Sequence, residues 1–481
     1  MTREQPRILV VGGVAAGMSA ASQARRRNPK AHVCVLERGP DVAYGSCGIP
    51  YNIEDPKTSM NDLVKIPLER LRDERGIDVR TGHKAIAIDP SARLVEVREE
   101  RTGRRYREAY DRLVIATGAR AIRPPIEGLE LPGVFFLREL TDGKAIKRFC
   151  AERRPRQAAI LGAGYIGMEM AEVLKTRGVA VTILEREAHV LPGFEPEIIA
   201  RVNEELQQQG TEVHTGTTGQ AVRATGQGVG LPLRVETDRG SVEADLLLVS
   251  VGVRPNSEIA QTAGIHLGGS GAIATDDRMC TNIEGVFAAG DCAEAWHRVL
   301  RAPVWIPLGT TANKQGKVAG ANAAGADQRF SGIVGTAGFK VFDLEVARTG
   351  LGAAEIERAG VQALRVPSRH LDRSKHYPGS APVDTVLFVE RDTRRLVGAQ
   401  MVGRTGIAKR IDVLATALYA NMSIDDIEAL DLSYAPPFAP VYDPILIAAA
   451  AARKALASAA GKGRPDASTT SEPPSDGPAL T

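Results

Sequence analysis

The sequence predicts an α/β protein with two Rossmann-like lobes and a third, α+β domain. Two observations predict the lobes. An apolar strand, a glycine turn and a helix start occur in that order at residues 7–17 and again at residues 157–169. Each unit is followed by a second apolar strand that ends in an acidic residue. The third observation is that strands and one amphipathic helix fill the region after residue 330.

Length and composition exclude several classes of protein. The chain has 481 residues, 43% of them hydrophobic, and a formal net charge of +3, which suits roughly three domains of ordinary size. No block of like charges predicts a nucleic-acid-binding arm. No apolar run approaches the roughly 18 residues of a membrane span, and the N-terminus lacks the pattern of a signal peptide. We therefore expect a cytoplasmic protein that binds no nucleic acid.

The cysteines indicate a reducing compartment and no metal site. There are five of them, with no CxxC pair and no metal-ligand spacing. They are Cys34, Cys47, Cys150, Cys280 and Cys292. Cys34 lies in a strand-like run and Cys292 follows the turn at residues 288–291, so core packing explains both.

The first glycine turn matches the dinucleotide-binding pattern GxGxxG at two of three positions. Gly12 and Gly17 fit the first and third glycines, whereas Val14 occupies the second position. The strand HVCVLE then ends in Glu37, twenty residues after Gly17, where a carboxylate can accept hydrogen bonds from ribose hydroxyls. The spacing therefore favours a dinucleotide site over an ordinary glycine turn.

The second turn carries the complete pattern, at Gly162, Gly164 and Gly167. Its second strand ends in Glu185, which favours the free 2′-hydroxyl of NADH and repels the 2′-phosphate of NADPH. The neighbouring Arg186 softens this preference, so we expect NADH with NADPH tolerated.

Two dinucleotide units in one chain suggest hydride passage from a nicotinamide to a flavin. The segments 110–118 and 245–252 are matching strands that end in glycine, each closing one lobe. The segment 285–291 is an apolar strand that ends in Asp291, placed to bind a sugar-alcohol hydroxyl at the carboxyl end of a strand.

The segment YGSCGIPY at residues 44–51 carries the thiol that we expect to react, Cys47. It lies between Gly45 and Gly48, and Pro50 is expected to end the segment, so the backbone can turn tightly there. Free cysteines are more often small buried hydrophobes. The nucleotide lobes around Cys47 favour chemistry instead.

From residue 7 to about residue 454 these motifs resemble the two-dinucleotide-binding flavoprotein disulfide reductase family, which is FAD-dependent and uses pyridine nucleotides. The resemblance implies that a helix beginning near Leu308 points its N-terminus at the flavin. It assigns to FAD the residues Gly12, Gly13, Val14, Ala15, Ala16, Gly17, Glu37, Arg38, Thr117, Gly118, Asp291, Thr311 and Ala312. It assigns to NADH the residues Gly162, Gly164, Tyr165, Ile166, Gly167, Glu169, Glu185 and Gly252, with Tyr165 and Glu169 in the nicotinamide pocket.

The resemblance also implies the domain order. Residues 1–121 and 252–329 would form the FAD-binding domain, residues 122–251 the NAD(P)H-binding domain, and residues 330–457 a dimerisation domain that makes a homodimer. From residue 458 to residue 481 the composition turns to Gly, Pro, Ser, Asp and Thr, which predicts a disordered tail.

The subfamily depends on the surroundings of Cys47. Many members pair two cysteines in the spacing CxxxxC, and here the partner position is Asn52. Cys47 must then cycle through a mixed disulfide or a sulfenic acid. Peroxide- and oxygen-reducing members carry a histidine where this sequence has Ala15, which disfavours the sulfenic acid. The chain more closely resembles coenzyme A disulfide reductase and the coenzyme A-dependent NADH persulfide or polysulfide reductases.

That resemblance implies residues for coenzyme A and for acid catalysis. Gln23 and Arg26 on the first helix match residues that contact coenzyme A, and an arginine cluster suits a ligand with several phosphates. The alternative is that these arginines only offset the helix dipole. Further contacts are expected at Ser46, Arg75 and Lys314. Tyr377 and Tyr434 match tyrosines that reach the cysteine from the partner subunit. Two departures are Ser46, where asparagine is common, and Lys314, where arginine is common.

We therefore predict an enzyme that passes hydride from NADH through FAD to a disulfide, persulfide or polysulfide, with Cys47 cycling as a mixed disulfide with coenzyme A. Two alternatives stay open. One is an NADH oxidase or peroxidase that uses a cysteine sulfenic acid. The other is a flavin electron transferase that serves a protein partner and needs no cysteine.

Overall fold

A computed structural model of the protein describes residues 5–226 and 232–461. Its α-helices are α1 (Ala15–Arg27), α2 (Ile49–Glu54), α3 (Leu68–Asp73), α4 (Leu140–Arg153), α5 (Tyr165–Thr176), α6 (Pro196–Gln208), α7 (Glu258–Thr262), α8 (Gly309–Ala323), α9 (Ala353–Ala359), α10 (Ile407–Ala420), α11 (Ile424–Glu428) and α12 (Pro444–Gly461). Two single-turn 3₁₀ helices span Ser46–Gly48 and Met60–Leu63.

The strands, in chain order, are β1 (Arg7–Val11), β2 (His32–Glu37), β3 (Asp78–Thr81), β4 (His83–Asp89), β5 (Leu94–Glu99), β6 (Arg105–Ala109), β7 (Arg112–Ile115), β8 (Ala119–Ala121), β9 (Val134–Phe136), β10 (Gln157–Leu161), β11 (Ala180–Leu184), β12 (Glu212–His214), β13 (Gly219–Ala224), β14 (Leu233–Thr237), β15 (Gly240–Ala244), β16 (Leu246–Val249), β17 (Val253–Pro255), β18 (Val286–Ala288), β19 (Ala295–His297), β20 (Ala302–Val304), β21 (Ala337–Val341), β22 (Leu344–Gly350), β23 (Ala363–Leu371), β24 (Pro382–Glu390) and β25 (Leu396–Gly403).

Two parallel sheets with the same plan form the two lobes. The first has the order β18-β7-β1-β2-β3 and the second the order β9-β16-β10-β11-β12, so the strand that precedes each glycine turn is central. Each lobe also contains a separate three-stranded antiparallel meander. In the first lobe it is β4-β5-β6, between β3 and β7 in sequence, and in the second it is β13-β14-β15, between β12 and β16. The predicted fold class is confirmed.

The central strands are apolar on both faces because both faces are covered. In β1, Ile8 and Val10 pack into one buried cluster, while Leu9 and Val11 pack into another on the opposite face. The side chains of β10 divide in the same way between two clusters. This is the pattern that a parallel sheet buried between helices requires.

The third domain is a five-stranded antiparallel sheet in the order β21-β22-β25-β24-β23. Helices α10, α11 and α12 pack their apolar residues against it. The last helix, α12, ends at Gly461, so it continues four residues into the segment predicted as a tail. Alanine and serine at 457–460 allow the helix to continue. The remainder of the predicted tail lies outside the described residues.

Helices α1 and α8 cross at very short distance, and this contact joins the glycine turn of the first lobe to the later part of the chain. A Cβ atom on Gly316 would lie 2.2 Å from the Ala16 carbonyl oxygen, and one on Gly320 would lie 2.1 Å from the Ala20 carbonyl oxygen. Backbone therefore packs directly on backbone, and any side chain at either glycine would force the helices apart.

We expect Gly316→Ala to destabilise the protein by about 1–3 kcal/mol, because the added methyl group overpacks the crossing. In an exposed helix the same change would stabilise. Thermal unfolding of the purified protein measures the effect. Gly269→Ala is the matched control, because the Cβ site of Gly269 has no atom within 4 Å. Equal melting temperatures for the two variants would show that the crossing tolerates a side chain.

Candidate functional site

The turn between β1 and α1 is so closely built that its two end positions accept only glycine. Gly12 has a φ of +110°, and a Cβ there would lie 2.1 Å from the Ala116 carbonyl oxygen. A Cβ on Gly17 would lie 1.8 Å from the Gly12 carbonyl oxygen. Gly162 and Gly167 of the second lobe are in the same relation, at 2.1 Å. Sterics thus explain the first and third glycines of both motifs.

The second position of the motif has no such restriction, which explains why Val14 is accommodated. Val14 is the N-cap residue of α1, with a φ of −108°. Its counterpart Gly164 is the N-cap of α5, and a Cβ built there has no atom within 4 Å. The mismatch to GxGxxG at Val14 therefore leaves the turn intact, and residues 15–17 form the first turn of α1.

Glu37 has a structural role in addition to the predicted one. Its Oε2 atom accepts a hydrogen bond from the Gly13 amide at 2.7 Å, and its Oε1 atom accepts one from the Gly39 amide at 2.8 Å. Burial raises the pKa of this carboxyl group, and the two amides oppose that effect. The Glu37 side chain thereby links the glycine turn at Gly13 to the residues that follow β2.

Glu185 repeats this arrangement in the second lobe. It accepts hydrogen bonds from the amides of Ala163, at 2.7 Å, and Glu187, at 2.8 Å. The adjacent Arg186 guanidinium is 2.9 Å from the Glu187 carboxylate and is largely exposed. Arg186 is therefore already partnered by a carboxylate.

A cleft opens at the carboxyl edge of the first sheet, beside the glycine turn. Its lining residues are Gly12, Gly13, Val14, Glu37, Arg38, Gly39, Pro40, Asp41, Tyr44, Ser46, Ala116, Thr117, Gly118, Ala119, Arg138, Glu139, Leu140 and Thr141. Eight of these were predicted as site residues. The residues between Arg138 and Thr141 were not, because they follow strand β9 of the other lobe and only the fold brings them here.

Arg138 and Asp291 form an ion pair beside this cleft. The second carboxylate oxygen of Asp291, Oδ1, is buried and has no hydrogen-bond partner among the described residues. A buried acceptor without a donor is costly, so this atom is suited to a hydroxyl group of a ligand. Arg38 pairs in a similar way with Glu139, across the two lobes.

Thr117 and Gly118 follow β7 at the cleft, as predicted. The Thr117 hydroxyl donates to the Asn256 carbonyl at 2.6 Å, and the Asn256 side-chain amide donates to the Thr117 carbonyl at 2.9 Å. Asn256 was not predicted as part of the site. These two hydrogen bonds join the residues after β7 to the residues after β17, where the chain returns to the first lobe.

The N-terminus of α8 faces Cys47. A Cβ built on Gly309, the first residue of α8, would lie 3.8 Å from the Cys47 Sγ atom. Thr311 and Ala312, both predicted as site residues, are buried in this first turn. Gln315, fully buried, accepts a hydrogen bond from the Gly290 amide at 2.9 Å and so links α8 to the turn before Asp291.

Cys47 lies in the 3₁₀ turn Ser46–Gly48 and is exposed. The prediction that Pro50 ends this segment is wrong, because Pro50 lies in the first turn of α2, where a proline lacks no needed hydrogen bond. All five cysteines are free, and Cys34, Cys150 and Cys292 are buried. Burial raises the pKa of each of these three thiols.

Asn52, at the position where a second cysteine would complete CxxxxC, is a buried amide with partners on both sides. Its Nδ2 atom donates to the Ser59 carbonyl at 2.8 Å, and its Oδ1 atom accepts from Lys147 at 2.9 Å. Position 52 is therefore occupied by a hydrogen-bonded amide and holds no second thiol.

Cations from the second lobe hold the C-terminal end of α2. The Lys147 Nζ atom on α4 lies 2.6–2.8 Å from the backbone carbonyls of Asn52, Asp55 and Thr58. Arg177 donates to the Ile53 carbonyl at 2.9 Å. Burial lowers the pKa of Lys147. No sequence pattern predicts this contact, because nothing distinguishes Lys147 from an ordinary lysine on a helix surface.

In the second lobe, the Glu169 carboxylate on α5 accepts a hydrogen bond from the Tyr51 hydroxyl at 2.7 Å.

 Burial raises the pKa of Glu169, and the hydrogen bond from Tyr51 opposes that effect. The ring of Tyr165 stacks on Phe339, with ring centres 4.5 Å apart. Tyr165 and Glu169 lie on one face of α5, one turn apart.

The remaining residues predicted for the nucleotide lie close to this turn. Ile166 follows Tyr165 on α5 and packs against the core of the second lobe. Gly252 follows β16 with a φ of +110°, and its carbonyl accepts a hydrogen bond from the Ile122 amide at 3.0 Å. The two predicted glycine endings, after β7 and after β16, thus occupy equivalent places in the two lobes.

The residues predicted for coenzyme A lie in two places. Ser46 lines the cleft, whereas Gln23 and Arg26 lie on the last two turns of α1. Arg26 and Lys314 are exposed, and the Arg75 carbonyl accepts a hydrogen bond from Arg25 at 3.3 Å.

Tyr377 and Tyr434 lie on loops of the third domain, and both are exposed. Tyr434 lines a pocket whose other residues include the basic side chains of Arg369, Arg373 and Lys375. Phe438, Val441 and Tyr442 near it expose 63–79% of their surface. An exposed apolar patch of this kind is typical of a surface that contacts another protein.

Within residues 5–226 and 232–461 there is no group of three or more histidine, cysteine or acidic side chains arranged to hold a metal ion. No helix in the same ranges is long and apolar enough to cross a membrane.

Comparisons with known proteins agree with this architecture. Residues 6–316 match the family described as pyridine nucleotide-disulphide oxidoreductase, and residues 336–444 match the dimerisation domain of that family. The chain is 37% identical to the NAD(P)H coenzyme A polysulfide/persulfide reductase of Pyrococcus horikoshii, over 92% of this chain and 97% of the relative.

Two solved structures are similar along most of their length. The reduced CoADR-RHD of Bacillus anthracis has a TM-score of 0.90 and 33% identity, covering 94% of this chain and 81% of the other. The NAD-dependent persulfide reductase from A. fulgidus has a TM-score of 0.89 and 36% identity, covering 95% of this chain and 84% of the other.

We expect Lys147→Met to loosen the segment after Cys47, because the backbone carbonyls of Asn52, Asp55 and Thr58 lose the donor that they share. The loss of stability should be about 1–3 kcal/mol, with faster amide hydrogen exchange at residues 49–58. Lys175→Met is the matched control, because the Lys175 ammonium contacts a single carbonyl, that of Gly210, at 3.1 Å. Equal exchange rates in the two variants would contradict a clamping role for Lys147.

Proposed function

This chain belongs to the pyridine nucleotide-disulphide oxidoreductase family, and we propose that it passes hydride from NADH through FAD to a disulfide, persulfide or polysulfide by way of Cys47. The observation that carries the proposal is the single exposed thiol beside the N-terminus of α8, at the junction of two nucleotide lobes. Relatives named as coenzyme A-dependent reductases support the choice of substrate class.

The residues of the first cleft fit FAD. Asp291 supplies a buried oxygen that has no donor among the described residues, as a ligand hydroxyl requires. Glu37 lies where an adenosine ribose would bind, and Gly12 and Gly13 leave room for a pyrophosphate at the N-terminus of α1. When bound there, FAD would supply the two-electron chemistry that links a nicotinamide to a disulfide. Thr311 and Ala312 would place the positive end of the α8 dipole at the flavin ring.

The second turn is the proposed NADH site. Gly162 and Gly167 allow the tight turn, and Gly164, whose Cβ position has no atom within 4 Å, leaves the N-terminus of α5 open for a pyrophosphate. Glu185 would accept hydrogen bonds from the ribose and repel a 2′-phosphate. The pairing of Arg186 with Glu187 supports a preference for NADH, because that guanidinium is already engaged by a carboxylate.

Cys47 would form a mixed disulfide with coenzyme A in the oxidised enzyme. Two electrons cleave this bond into two thiolates, Cys47–S⁻ and CoA–S⁻. Attack of the Cys47 thiolate on coenzyme A disulfide restores Cys47–S–S–CoA and expels the second coenzyme A as a thiolate. The positive end of the α8 dipole would stabilise the Cys47 thiolate, and the closeness of Gly309 to the Cys47 Sγ atom supports this role.

Coenzyme A would contact both the cleft beside Cys47 and the residues predicted for it farther away. Ser46 lies next to the thiol, while Gln23, Arg26, Arg75 and Lys314 would bind the phosphates farther out. The exposure of Arg26 and Lys314 supports a role in binding a ligand with several phosphates.

We place the enzyme in a homodimer whose partner subunit completes the site. The dimerisation domain and the exposed patch around Phe438 and Tyr442 support this assembly. In it, Tyr377 and Tyr434 of one subunit would donate a proton to the thiolate that leaves Cys47 of the other. The free state of all five cysteines suits the reducing cytoplasm.

Protein purified without reductant should carry coenzyme A on Cys47. We expect the intact mass to exceed the sequence mass, after allowance for FAD, by one coenzyme A less two hydrogens, and dithiothreitol should remove the adduct. Mass spectrometry of the native and reduced protein measures this. An unmodified thiol, or an added single oxygen that indicates a sulfenic acid, would reject the mixed disulfide.

Cys47→Ser should abolish NADH-dependent reduction of coenzyme A disulfide and of polysulfide, because no thiolate remains to attack the substrate. Cys280→Ser is the matched control and should keep wild-type turnover, since burial raises the pKa of the Cys280 thiol to about 11. Steady-state assays of both variants decide the question. Full activity of Cys47→Ser with a protein electron acceptor would favour a flavin electron transferase instead.

A further inference from the structure

A tyrosine on the cysteine helix contacts a carboxylate on the nucleotide helix. The Tyr51 hydroxyl on α2 donates a hydrogen bond to the Glu169 Oε1 atom on α5 at 2.7 Å. Tyr51 follows Cys47 by four residues, and 42% of its surface is exposed. The contact therefore joins the two halves of the proposed reaction, and the mechanism above does not use it.

We propose that Tyr51 is a positioning residue: its hydroxyl keeps the Glu169 carboxylate charged and oriented toward the pocket in which the nicotinamide ring binds. This inference rests on the proposed function, because it takes Glu169 to line that pocket. The nicotinamide ring of NADH is neutral and that of NAD⁺ is positive. A fixed carboxylate beside the ring therefore favours the charge that develops as hydride leaves.

The surroundings of Glu169 make the Tyr51 hydroxyl its main support. On its own helix α5 the nearest titratable neighbour is Glu172, which repels a second negative charge. The Lys340 ammonium of β21 pairs with Glu172 and is thus engaged there. On α2, the Tyr51 hydroxyl contacts Glu169 directly. Glu54 lies at the end of the same helix, and Cys47 lies in the 3₁₀ turn before it. Burial raises the pKa of Glu169, and among these groups Tyr51 opposes that effect.

The position of Tyr51 is itself fixed. Ile49 and Ile53 of α2 are buried in the core of the second lobe, and Lys147 and Arg177 hold the carbonyls at the end of the same helix. The backbone of Tyr51 is therefore held at a fixed distance from α5. Since the helix is anchored at both ends, the fold keeps the Tyr51 hydroxyl within reach of the Glu169 carboxylate.

The experiment is the affinity of the oxidised holoenzyme for NAD⁺, measured by titration calorimetry from about pH 5 to about pH 9. In the wild type, affinity should rise with pH as Glu169 loses its proton, because the charged form attracts the positive ring. Tyr51→Phe removes the donor, so the carboxyl group should titrate at higher pH. At the wild-type midpoint we expect NAD⁺ to bind about tenfold more weakly to this variant.

Three further variants make the result specific. Glu169→Gln should bind NAD⁺ weakly with no rise through this pH range, and adding Tyr51→Phe to it should change nothing more. Tyr110→Phe, which removes a buried hydroxyl that has no partner among the described residues, should follow the wild type. Glu169→Gln also tests the pocket independently if Tyr51→Phe folds poorly.

The possible failures are distinguishable. A Tyr51→Phe profile that superimposes on the wild type, or effects of Tyr51→Phe and Glu169→Gln that add in the double variant, would overturn the role of Tyr51 and leave the proposed function in place. A wild-type holoenzyme that binds neither NAD⁺ nor NADH would overturn the proposed function and this inference with it.

Discussion

The anchoring of α2 on the second lobe is the constraint on which the site depends. In sequence the helix lies within the first lobe, between β2 and β3, yet Ile49 and Ile53 are buried with residues of α4 and α5 in the core of the second lobe. Lys147 and Arg177 then satisfy the carbonyls at its C-terminal end. Because Cys47 lies directly before α2, this anchoring holds the thiol at the junction of the lobes. A thiol there can receive electrons from one side and meet substrate on the other.

The opposite wall of the site comes from α8, and its position follows from the crossing with α1. Gly316 and Gly320 let the two backbones meet at contact distance. The N-termini of both helices consequently reach the same edge of the first sheet, one at the glycine turn and the other at Cys47. In the proposed FAD site, the same crossing would therefore set both the position of the pyrophosphate and the electrostatic surroundings of the thiol.

Sequence patterns predicted what depends on local geometry. Gly17 and Gly167 are required by contact with the carbonyls of Gly12 and Gly162 in the same turn, and Gly12 and Gly162 are favoured by their positive φ. Each turn lies between an apolar strand and a helix. The sequence could not reveal Arg138, Lys147 or Asn256 in the same way. Each acts through a partner 89 to 153 residues away, with no local pattern to mark it. Pro50 was misread because a proline suits a helix start as well as a segment end.

Each lobe has a glycine turn with a carboxylate bound to it, and the two lobes differ in which side chains lie beside the turn. In the first, Arg138 and Glu139 reach over from the second lobe, and Glu139 pairs with Arg38 across the cleft. A dinucleotide there would contact both lobes, and the pair of Arg38 and Glu139 would hinder its release. In the second, Arg186 pairs with its own neighbour, and the space beside Gly164 is open. A nucleotide there would contact mainly one lobe and could leave freely. One retained and one exchangeable dinucleotide are what repeated hydride transfer through a flavin requires.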